Sequence, residues 1–480
     1  MKIQHSTPVW ERRHLAGGLM GLLMSNRPAG CRRSQGSVLI IVLWVCIGLV
    51  SIALYFANAM TYELRASDNR VSGVMADQAI EGAARYVSLV LLNYATNGAV
   101  PDNTQFKCEA VAVGDAKFWL IGRDPAEGNS TEPYFGLVDE GGKLNLNNVS
   151  TNVFQYLPNI TSDFADAIMD WRGTNGVVSL DYTSLGYAPK YAPFETVDEL
   201  RLVYGATVDM LAGEDLNRNG VLDQSEKDVN SNGALDPGLF EYVTVYTREP
   251  NFHADGTTMT NINSTTLTKS ELRSLFQNAG TSSATDMADK FYRYIHPNQQ
   301  NPSQGVKNIN GELDLALQLK GIGMSSDDFA KIASNLTTST NTYFRGRVNV
   351  NTAGVDVLTA MFMGANVDEQ TALSAAQTLI TYRQQNASNL GSIAWVIDAL
   401  GNNSPIVTAL AKGNWLTTHS YQFTADIAAV GPFGRGWRRV KFVFDVSDGT
   451  PKILYRQDLS RLGWALGEKA RENLVAKDTQ

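Results

Sequence analysis

Cysteine is scarce in this sequence. The 480 residues include three, which are Cys31, Cys46 and Cys108. Cys31 precedes the longest apolar segment of the chain and Cys46 lies inside it, so that only Cys108 lies beyond that segment. An internal disulfide framework is therefore excluded there, and Cys108 is expected to be a small buried apolar residue.

Signatures of catalysis and of nucleic-acid binding are also lacking. The five histidines have no metal-ligand spacing, and the sequence contains no P-loop, no dinucleotide-binding fingerprint and no nucleophile elbow. A net charge of -8 argues against nucleic acid as a partner, because such partners favour a basic surface. We therefore expect a protein that is not an enzyme and has no catalytic residues.

The strongest positive signal is a long apolar segment near the N-terminus. Residues 37–57 carry no charge and would span about 30 Å as a helix, enough to cross a bilayer. Basic residues outnumber the single acid before this segment, which predicts a cytoplasmic N-terminus and a periplasmic bulk in a single-pass inner-membrane protein. These basic residues are Lys2, Arg12, Arg13, Arg27, Arg32 and Arg33.

Three interpretations of this N-terminus compete. A cleaved secretory signal ending at Ala57-Asn58-Ala59 would have an unusually long apolar stretch. A lipoprotein acylated at Cys31 would have a short, glycine-rich apolar run before the cysteine. A type IV prepilin leader fits best, with cleavage after Gly36, methylation of the new amine at Ser37, and retention of the apolar helix as the membrane anchor.

The apolar helix is predicted to continue beyond the membrane. Residues with helical spacing lead up to a stop at Asn97-Gly98, which predicts one helix from about residue 37 to 94. Its first half would lie in lipid and its second half would pack on a globular domain, as in pilins. The spaced residues are Ala76, Ile80, Ala83, Val87, Val90, Leu91 and Tyr94.

One residue typical of pilin-like subunits is missing. Most carry Glu five residues after the cleavage point, where it is thought to pair with the amine of the neighbouring subunit. Here that position is Ile41, and no acid appears before Glu63. A buried acid in lipid is costly unless it is paired, so its absence favours a subunit in the first position, at the tip.

Strand-rich segments lie on both sides of a helical middle. Residues 118–124 and 134–147 on one side, and 421–427, 438–446 and 453–455 on the other, have β-prone patterns. An α+β fold is predicted, in which a long N-terminal helix packs on a small antiparallel sheet and a large, mainly α-helical domain is inserted in that sheet. The expected division is 1–36 leader, 37–58 membrane part of the helix, 59–140 remaining helix and first strands, 141–415 inserted domain, and 416–480 last strands and tail.

The middle contains a diverged internal repeat. Residues 142–148 (GKLNLNN) resemble residues 346–352 (GRVNVNT), and each stretch precedes a helical segment that ends in an aromatic-Arg pair, Trp171-Arg172 or Tyr382-Arg383. Two helix-hairpin-helix-like repeats are therefore expected, in which the alternating Asn side chains cap the helix that follows.

Together these motifs resemble the K-type minor pseudopilins of type II secretion over about residues 32–464, with 250–340 longer and less familiar. The resemblance implies a pilin fold with an inserted helical domain that carries calcium. It also implies a place at the pseudopilus tip, where such subunits help to start assembly for export of folded proteins. The implied partners are I- and J-type minor pseudopilins, a prepilin peptidase, the inner-membrane secretion platform and membrane lipid.

A calcium loop is predicted at residues 215–226 (DLNRNGVLDQSE). Carboxylate, amide and carbonyl oxygens alternate with the spacing of a twelve-residue calcium loop, and Gly220 takes the sharp turn at position six. The expected ligands are Asp215, Asn217, Asn219, the Val221 carbonyl, Asp223 and the bidentate Glu226.

Thirteen residues further on, the start of the loop repeats. Leu239 stands at position twelve, so the bidentate ligand is missing, and either Glu241 substitutes or the two loops share ligands. A polar turn without metal is the alternative for both loops. The expected ligands of the second loop are Asp228, Asn230, Asn232, the Ala234 carbonyl and Asp236, and one or two structural Ca²⁺ ions are expected in all.

Two other functions are possible interpretations of the sequence. Residues 319–323 (LKGIG) with 329–332 (FAKI) resemble a DNA-binding helix-hairpin-helix, which would suit DNA uptake or a type IV pilus minor pilin. Acidic residues at 327 and 328 would repel phosphate. A calcium-dependent secreted hydrolase is a further alternative.

Overall fold

The computed structural model describes residues 35–94, 98–124, 132–173, 182–297 and 306–478. Contacts divide the chain into a first unit that ends at Ala66 and a second that begins at Ser67. The described residues form one long helix, a six-stranded antiparallel sheet, four two-stranded sheets and many shorter helices.

The described helices are α1 (Gln35–Leu92), α2 (Thr151–Phe154), α3 (Ser162–Arg172), α4 (Val208–Ala212), α5 (Leu239–Tyr242), α6 (Lys269–Asn278), α7 (Ala284–Ile295), α8 (Glu312–Gly321), α9 (Ser326–Ala333), α10 (Val355–Gly364), α11 (Glu369–Gln385), α12 (Ala394–Leu400), α13 (Pro405–Leu410) and α14 (Gly467–Asp478).

The described strands are β1 (Val111–Val113), β2 (Ala116–Ile121), β3 (Val138–Asp139), β4 (Leu144–Asn145), β5 (Val243–Thr244), β6 (Arg248–Pro250), β7 (Thr260–Asn261), β8 (Leu336–Thr337), β9 (Tyr343–Arg345), β10 (Val348–Asn349), β11 (Leu416–Thr417), β12 (Gln422–Val430), β13 (Arg438–Asp445) and β14 (Lys452–Asp458).

Helix α1 changes character along its length. The part from Val38 is apolar and exposed, and α1 is long and apolar enough to cross a membrane by length and composition alone. Beyond Ser72, one face is buried against the sheet in steps of three or four residues, which confirms the predicted face at five positions. These are Ala76, Ile80, Ala83, Val87 and Leu91.

The main sheet has the order β1-β2-β12-β13-β14, with β3 paired to another part of β12, and every pairing is antiparallel. β12 lies in the middle and is buried along its whole length. Phe423, Ala425 and Ile427 belong to the core beneath α1, whereas Ala428 packs on the other face against Ala465. The first half of that other face is polar, and Gln422, Thr424 and Asp426 are buried there by hydrogen bonds to Asp445, Glu140 and Arg439. β12 is therefore buried on both faces although its first six residues alternate between polar and apolar.

The segment predicted as a strand over 134–147 is interrupted. Between β3 and β4 the chain forms a 3-10 turn, Glu140–Gly142, because the Asp139 carboxylate accepts the Gly141 N–H at 2.7 Å. This side-chain hydrogen bond offers the backbone an alternative to the sheet ladder. The chain therefore leaves the sheet after Asp139 and returns to it only at Gln422.

Between these two points the chain forms three similar helical units, one more than the sequence repeat predicts. Each unit begins and ends with a short strand, and the two strands pair in parallel, so that the ends of the unit lie side by side. The pairs are β4 with β5, β7 with β8, and β10 with β11. The additional unit lies in the middle, within the stretch 250–340 that the repeat did not include.

The three units share hydrogen bonds as well as topology. In each, an Asn carboxamide oxygen accepts the N–H two residues later, and a Thr hydroxyl at the end of the unit also accepts the N–H two residues later. The Asn donor–acceptor pairs are Asn147 to Asn145, Asn263 to Asn261 and Asn351 to Asn349, at 2.9–3.0 Å. The Thr pairs are Tyr246 to Thr244, Ser339 to Thr337 and His419 to Thr417, at 3.1–3.3 Å.

The sequence suggested that the Asn side chains of each motif cap the following helix. The second Asn of each motif does not do so. α2 begins after Ser150 and α10 after Gly354. The side chain instead joins distant segments. The amide of Asn147 donates to the Phe194 carbonyl at 2.9 Å, and that of Asn351 donates to the Leu390 carbonyl at 3.0 Å.

Two adjacent carboxylates join the helical units to the sheet. Asp139 accepts hydrogen bonds from Asn349 and Thr352 of the third unit and from Ser420, at 3.3, 2.5 and 2.7 Å. Glu140, 1% exposed, accepts from Thr244 of the first unit and from Thr424 of β12, at 2.5 and 2.7 Å. The first unit, the third unit and the sheet therefore share one polar contact, here called the Asp139–Glu140 junction.

The two carboxyl groups of this junction titrate in opposite directions. Burial raises the pKa of Asp139 from 3.8 to about 6, although three hydrogen bonds oppose it. Burial also opposes ionisation of Glu140, but Lys143 and Lys441 outweigh it and lower that pKa from 4.5 to about 2. At neutral pH both groups are ionised, and the charge of Asp139 is the less favourable of the two.

We predict that Asp139→Asn removes a pH dependence of stability. The folded-state pKa of Asp139 lies above its unfolded value, so its stabilising effect is complete below about pH 4 and is lost as the pH rises through 6. The unfolding free energy of the parent, relative to D139N, should fall by at most roughly 3 kcal/mol between pH 4 and 7.

Chemical denaturation of the detergent-solubilised chain at several pH values measures this difference. The matched control is Asp255→Asn, because Asp255 is exposed and its hydrogen bonds to Thr257 lower its pKa. D255N should show no such fall. If the difference in unfolding free energy between the parent and D139N is the same at pH 4 and at pH 7, the prediction is wrong.

Candidate cation loops

Both predicted loops lie in the segment between α4 and α5, and the two ends of this segment are in contact. The Gly213–Pro237 bridge, the Glu214 N–H to the Asp236 carbonyl at 3.0 Å and the Gly238 N–H to the Ala212 carbonyl at 3.0 Å hold its two ends together. The segment between these contacts has no helix or strand. Its shape therefore depends on side-chain hydrogen bonds within the loops.

In the first loop, side-chain oxygens accept consecutive main-chain N–H groups. Asp215 accepts from Asn219 and Gly220 at 2.9 and 2.8 Å, Asn217 accepts from Asn219 at 3.0 Å, and Asn219 accepts from Val221 at 3.0 Å. The amides of Asn217 and Asn219 both donate to the same oxygen of Asp223. Four of the predicted ligand side chains thus converge.

The second loop repeats this pattern thirteen residues later. Asp228 accepts from Asn232 and Gly233 at 3.2 and 2.8 Å, and Asn232 accepts from Ala234 at 2.7 Å. The amides of Asn230 and Asn232 both donate to one oxygen of Asp236.

The backbone repeats too, with left-handed residues at positions four and six of both loops. These are Arg218 and Gly220 in the first loop, with φ of 59° and 84°, and Ser231 and Gly233 in the second, with φ of 58° and 71°.

Glu226 closes the first loop as position twelve requires. Its two carboxylate oxygens accept the N–H groups of Asn217 and Asp223 at 3.0 and 3.1 Å. The carboxylate therefore reaches across the loop to the side where Asp215, Asn217 and Asp223 converge, which suits bidentate binding of a hard cation.

Glu214 closes the second loop in the same manner. Its two oxygens accept the N–H groups of Val229 and Asp236 at 2.6 and 3.1 Å. Glu241, which the sequence offered as the substitute, instead forms an ion pair with Arg123 at 2.8 Å. Glu214, which precedes the first loop, is thus a candidate for the missing twelfth position. The spacing of a single loop cannot indicate it.

Burial makes the charges of the first loop unfavourable. Asp215, Asn217 and Asn219 are all less than 7% exposed. Burial raises the pKa of the Asp215 carboxyl despite nearby Arg123, and burial also raises the pKa of Glu226. Main-chain N–H groups, and Arg123 at Asp215, offset part of this cost, and a divalent cation would offset the rest.

The donor set suits a hard cation. In the part of the chain that the structure describes, no group of three or more His, Cys, Asp or Glu side chains is arranged to hold a metal. A cation at either loop would thus depend on Asn amide oxygens and on the carbonyls of Val221 and Ala234 in addition to carboxylates. The Asn amides that now donate to Asp223 and Asp236 would then present oxygen to the ion.

The first loop is also held by the sheet. Arg439 of β13, fully buried, donates to the carbonyls of Asn217 and Arg218 and pairs with Asp426 of β12 at 2.6 Å. Arg123, after β2, donates to the same Arg218 carbonyl at 3.3 Å. No motif in the sequence indicated that Arg439 binds the main chain of the first loop.

The remaining predicted residues lie in α1. Gly36 and Ser37 are in its first turn, and Ile41, with an exposed side chain, follows one turn later. Cleavage after Gly36 stays a prediction, and Arg32 and Arg33 of the leader lie outside the described residues.

The hairpin that resembles a DNA-binding motif offers little positive charge. Lys320, its main cation, is bound to Asp398 and the Ser326 hydroxyl. Asp328 lies in the first turn of α9 and its side chain is bound to Lys331 at 2.8 Å. These contacts do not favour a DNA-binding function.

Comparisons with known proteins give similarity to solved structures. No family model matches the sequence, and no curated protein matches it. A solved structure that is similar comes from the GspK-GspI-GspJ complex of the enterotoxigenic Escherichia coli type 2 secretion system. The match covers 44% of this chain and 78% of that chain, with 12% sequence identity and a TM-score of 0.18.

Gly220 and Gly233 form a matched pair for testing the contact of the first loop with the sheet. Both have positive φ, so Ala at either position should cost about 1 kcal/mol of stability. A Cβ at Gly220 would also lie 2.8 Å from Arg123 Cδ, whereas a Cβ at Gly233 meets nothing within 4 Å. We predict that G220A costs roughly 2–3 kcal/mol and G233A about 1 kcal/mol.

Thermal and chemical denaturation of both variants in the presence of a chelator measures this, so that metal binding does not contribute. Equal losses would show that close packing of the first loop against Arg123 is unimportant for stability.

Proposed function

We propose that this chain is a membrane-anchored, non-enzymatic minor pseudopilin of the K type, placed at the tip of a type II secretion pseudopilus, where it helps to start assembly. The observation that carries the proposal is the position of the helical units. The chain leaves an α1-packed antiparallel sheet after β3 and returns to that sheet at β12.

A helix packed on an antiparallel sheet supports a pilin-like subunit. The buried face of α1 lies against Phe118, Phe423 and Phe442 of three neighbouring strands. The exposed apolar part of the same helix supports a single membrane anchor in the inner membrane, with the bulk in the periplasm. A prepilin peptidase would cut after Gly36 and leave a new amine at Ser37.

The size of the helical part and the residue at position 41 support the tip. About 380 residues follow α1, which corresponds to a radius of gyration near 21 Å. A domain of that size would crowd a subunit stacked above it. Ile41 cannot form the ion pair that an acid at this position would make with the amine of an earlier subunit, but the amine at Ser37 remains for a later one.

The expected partners are I- and J-type minor pseudopilins and the inner-membrane secretion platform. We predict that the chain co-purifies with I- and J-type subunits from the same organism, and that the complex forms without ATP or exported substrate. Ile41→Glu restores the acid and leaves the large domain unchanged, so labelling of I41E along the fibre would show that residue 41, and not the size of the domain, keeps the chain at the tip.

Affinity purification followed by gold labelling of assembled fibres measures both outcomes. A chain that stays monomeric with these partners, or a parent chain that labels along the fibre length, contradicts the proposal.

We also propose that the two loops bind two structural Ca²⁺ ions. The support is the repeated hydrogen-bond pattern, the repeated left-handed backbone, and the carboxylates of Glu226 and Glu214, which accept the N–H groups of the equivalent residues Asp223 and Asp236. Binding would stabilise the fold by mass action, because the unfolded chain has no assembled site.

Titration calorimetry of the purified chain should give two Ca²⁺ ions per chain, and chelation should lower the melting temperature. Glu226→Gln and Glu214→Gln should each remove one ion. Glu241→Gln is the control, since it disrupts the Arg123 ion pair and should leave two ions bound. Retention of two ions in E214Q would show that another group completes the second loop.

A further inference from the structure

The turn between β12 and β13 presents an aromatic side chain in a strained conformation. Phe433 has a φ of 58° and is 68% exposed. The turn is closed by the Gly431 N–H to the Arg435 carbonyl at 2.8 Å and the Arg435 N–H to the Pro432 carbonyl at 3.3 Å. A large side chain in the left-handed region costs free energy, and an exposed ring does not recover that cost by packing in the fold.

The turn is held rigidly on α1. Built Cβ atoms at Gly431 and Gly436 would lie 2.5 and 2.3 Å from backbone atoms of Ser72, so both glycines are needed for this close approach. Arg435 pairs with Asp68 of α1 at 3.4 Å. The exposure of Phe433 is therefore a property of a well-packed turn.

Other aromatic residues lie close behind this turn. Trp437 follows it directly, and its ring centroid is 4.8 Å from that of Trp464. Both tryptophans are only partly buried and contact the apolar cluster under α14. Their indole N–H groups face the protein, since Trp437 Nε1 is buried and Trp464 Nε1 donates to the Gly467 carbonyl at 2.7 Å. The two rings therefore support the turn from behind, and Phe433 is its exposed ring.

The turn contacts α1 close to the end of its membrane-crossing part. The apolar side chains from Val38 to Leu64 are exposed, and 27 residues of helix span about 40 Å, the thickness of a bilayer with its headgroup regions. The α1 residues that the turn contacts, Asp68 and Ser72, follow within one to two helical turns of Leu64. By length along the helix, the turn comes directly after the membrane-crossing part.

We propose that Phe433, supported by Trp437 and Trp464, contacts the interfacial region of the bilayer that holds α1. The contact would be made before the subunit is extracted into a fibre and would limit the tilt of the folded domain over the membrane. Phe433 supplies an exposed apolar ring for the headgroup region next to the end of the membrane-crossing part of α1. This inference rests on the proposed membrane anchor.

The test uses the full chain with Cys31, Cys46 and Cys108 replaced by Ser, Ser and Ala. Single cysteines are introduced as Phe433→Cys, Trp44→Cys or Tyr191→Cys and labelled with an environment-sensitive fluorophore. Each protein is reconstituted alone into phosphatidylcholine–phosphatidylglycerol vesicles that contain a headgroup-level quencher lipid. Tyr191 is the matched control, because it is also exposed and has a positive φ of 49°, but it packs beside α3.

The expected result is a blue-shifted, lipid-quenched label at positions 433 and 44 and an unshifted, unquenched label at 191. A shifted label at 44 with an unshifted label at 433 overturns the membrane contact and leaves the anchor intact. An unshifted label at 44 overturns the anchor itself, and the inference fails with it. A label at 433 that shifts only when partner subunits are added identifies a protein interface and also overturns the proposal.

A second variant tests whether Phe433 is needed for folding. Phe433→Gly relieves the left-handed strain, so its melting temperature should equal or exceed that of the parent. The tilt of its folded domain in vesicles, measured by the distance from a label at Tyr191→Cys to the lipid surface, should become more variable. A marked fall in melting temperature would show that the ring stabilises the turn and would overturn a membrane role.

Discussion

The arrangement of this molecule depends on two adjacent carboxylates, Asp139 and Glu140. They lie where the chain leaves the sheet, and between them they accept hydrogen bonds from the first helical unit, the third helical unit and β12. Because Glu140 is buried, removing one donor would leave part of a charge without a partner, which is costly. This polar contact thus joins the first and third helical units to the sheet.

Local patterns in the sequence predicted much of the fold and most of the candidate site. The apolar run, the helical face of α1 and the last three strands follow from periodicity, which depends on nearby residues alone. The first predicted calcium loop is a local pattern too, because its six proposed ligand positions lie within twelve residues. The absence of an acid at Ile41 is also a local feature, because the position is counted from the predicted cleavage point at Gly36.

What the sequence missed depends on contacts between distant residues. Trp171-Arg172 and Tyr382-Arg383 mark the first and third units, and their arginines bind carbonyls after β4 and β10. The corresponding pair of the middle unit, Tyr292-Arg293, differs because Arg293 donates to the Asp289 carbonyl of its own helix at 3.2 Å. The parallel pairing of β7 with β8 and the shared Asn and Thr hydrogen bonds make the middle unit evident. Glu214 was missed because its partner loop begins fourteen residues later, and Arg439 because it reaches the first loop from a strand more than 200 residues away.

The side-by-side ends of each helical unit have a consequence for how such a protein can grow. A unit that starts and finishes at neighbouring points can be duplicated, lost or exchanged with almost no displacement of the chain on either side. The middle unit, between β6 and β9, has the form of such an addition, because those two strands pair with each other and close the chain beneath it. Chain length in relatives of this protein could therefore change in whole steps of one unit while the helix, the sheet and the cation loops stay unaltered.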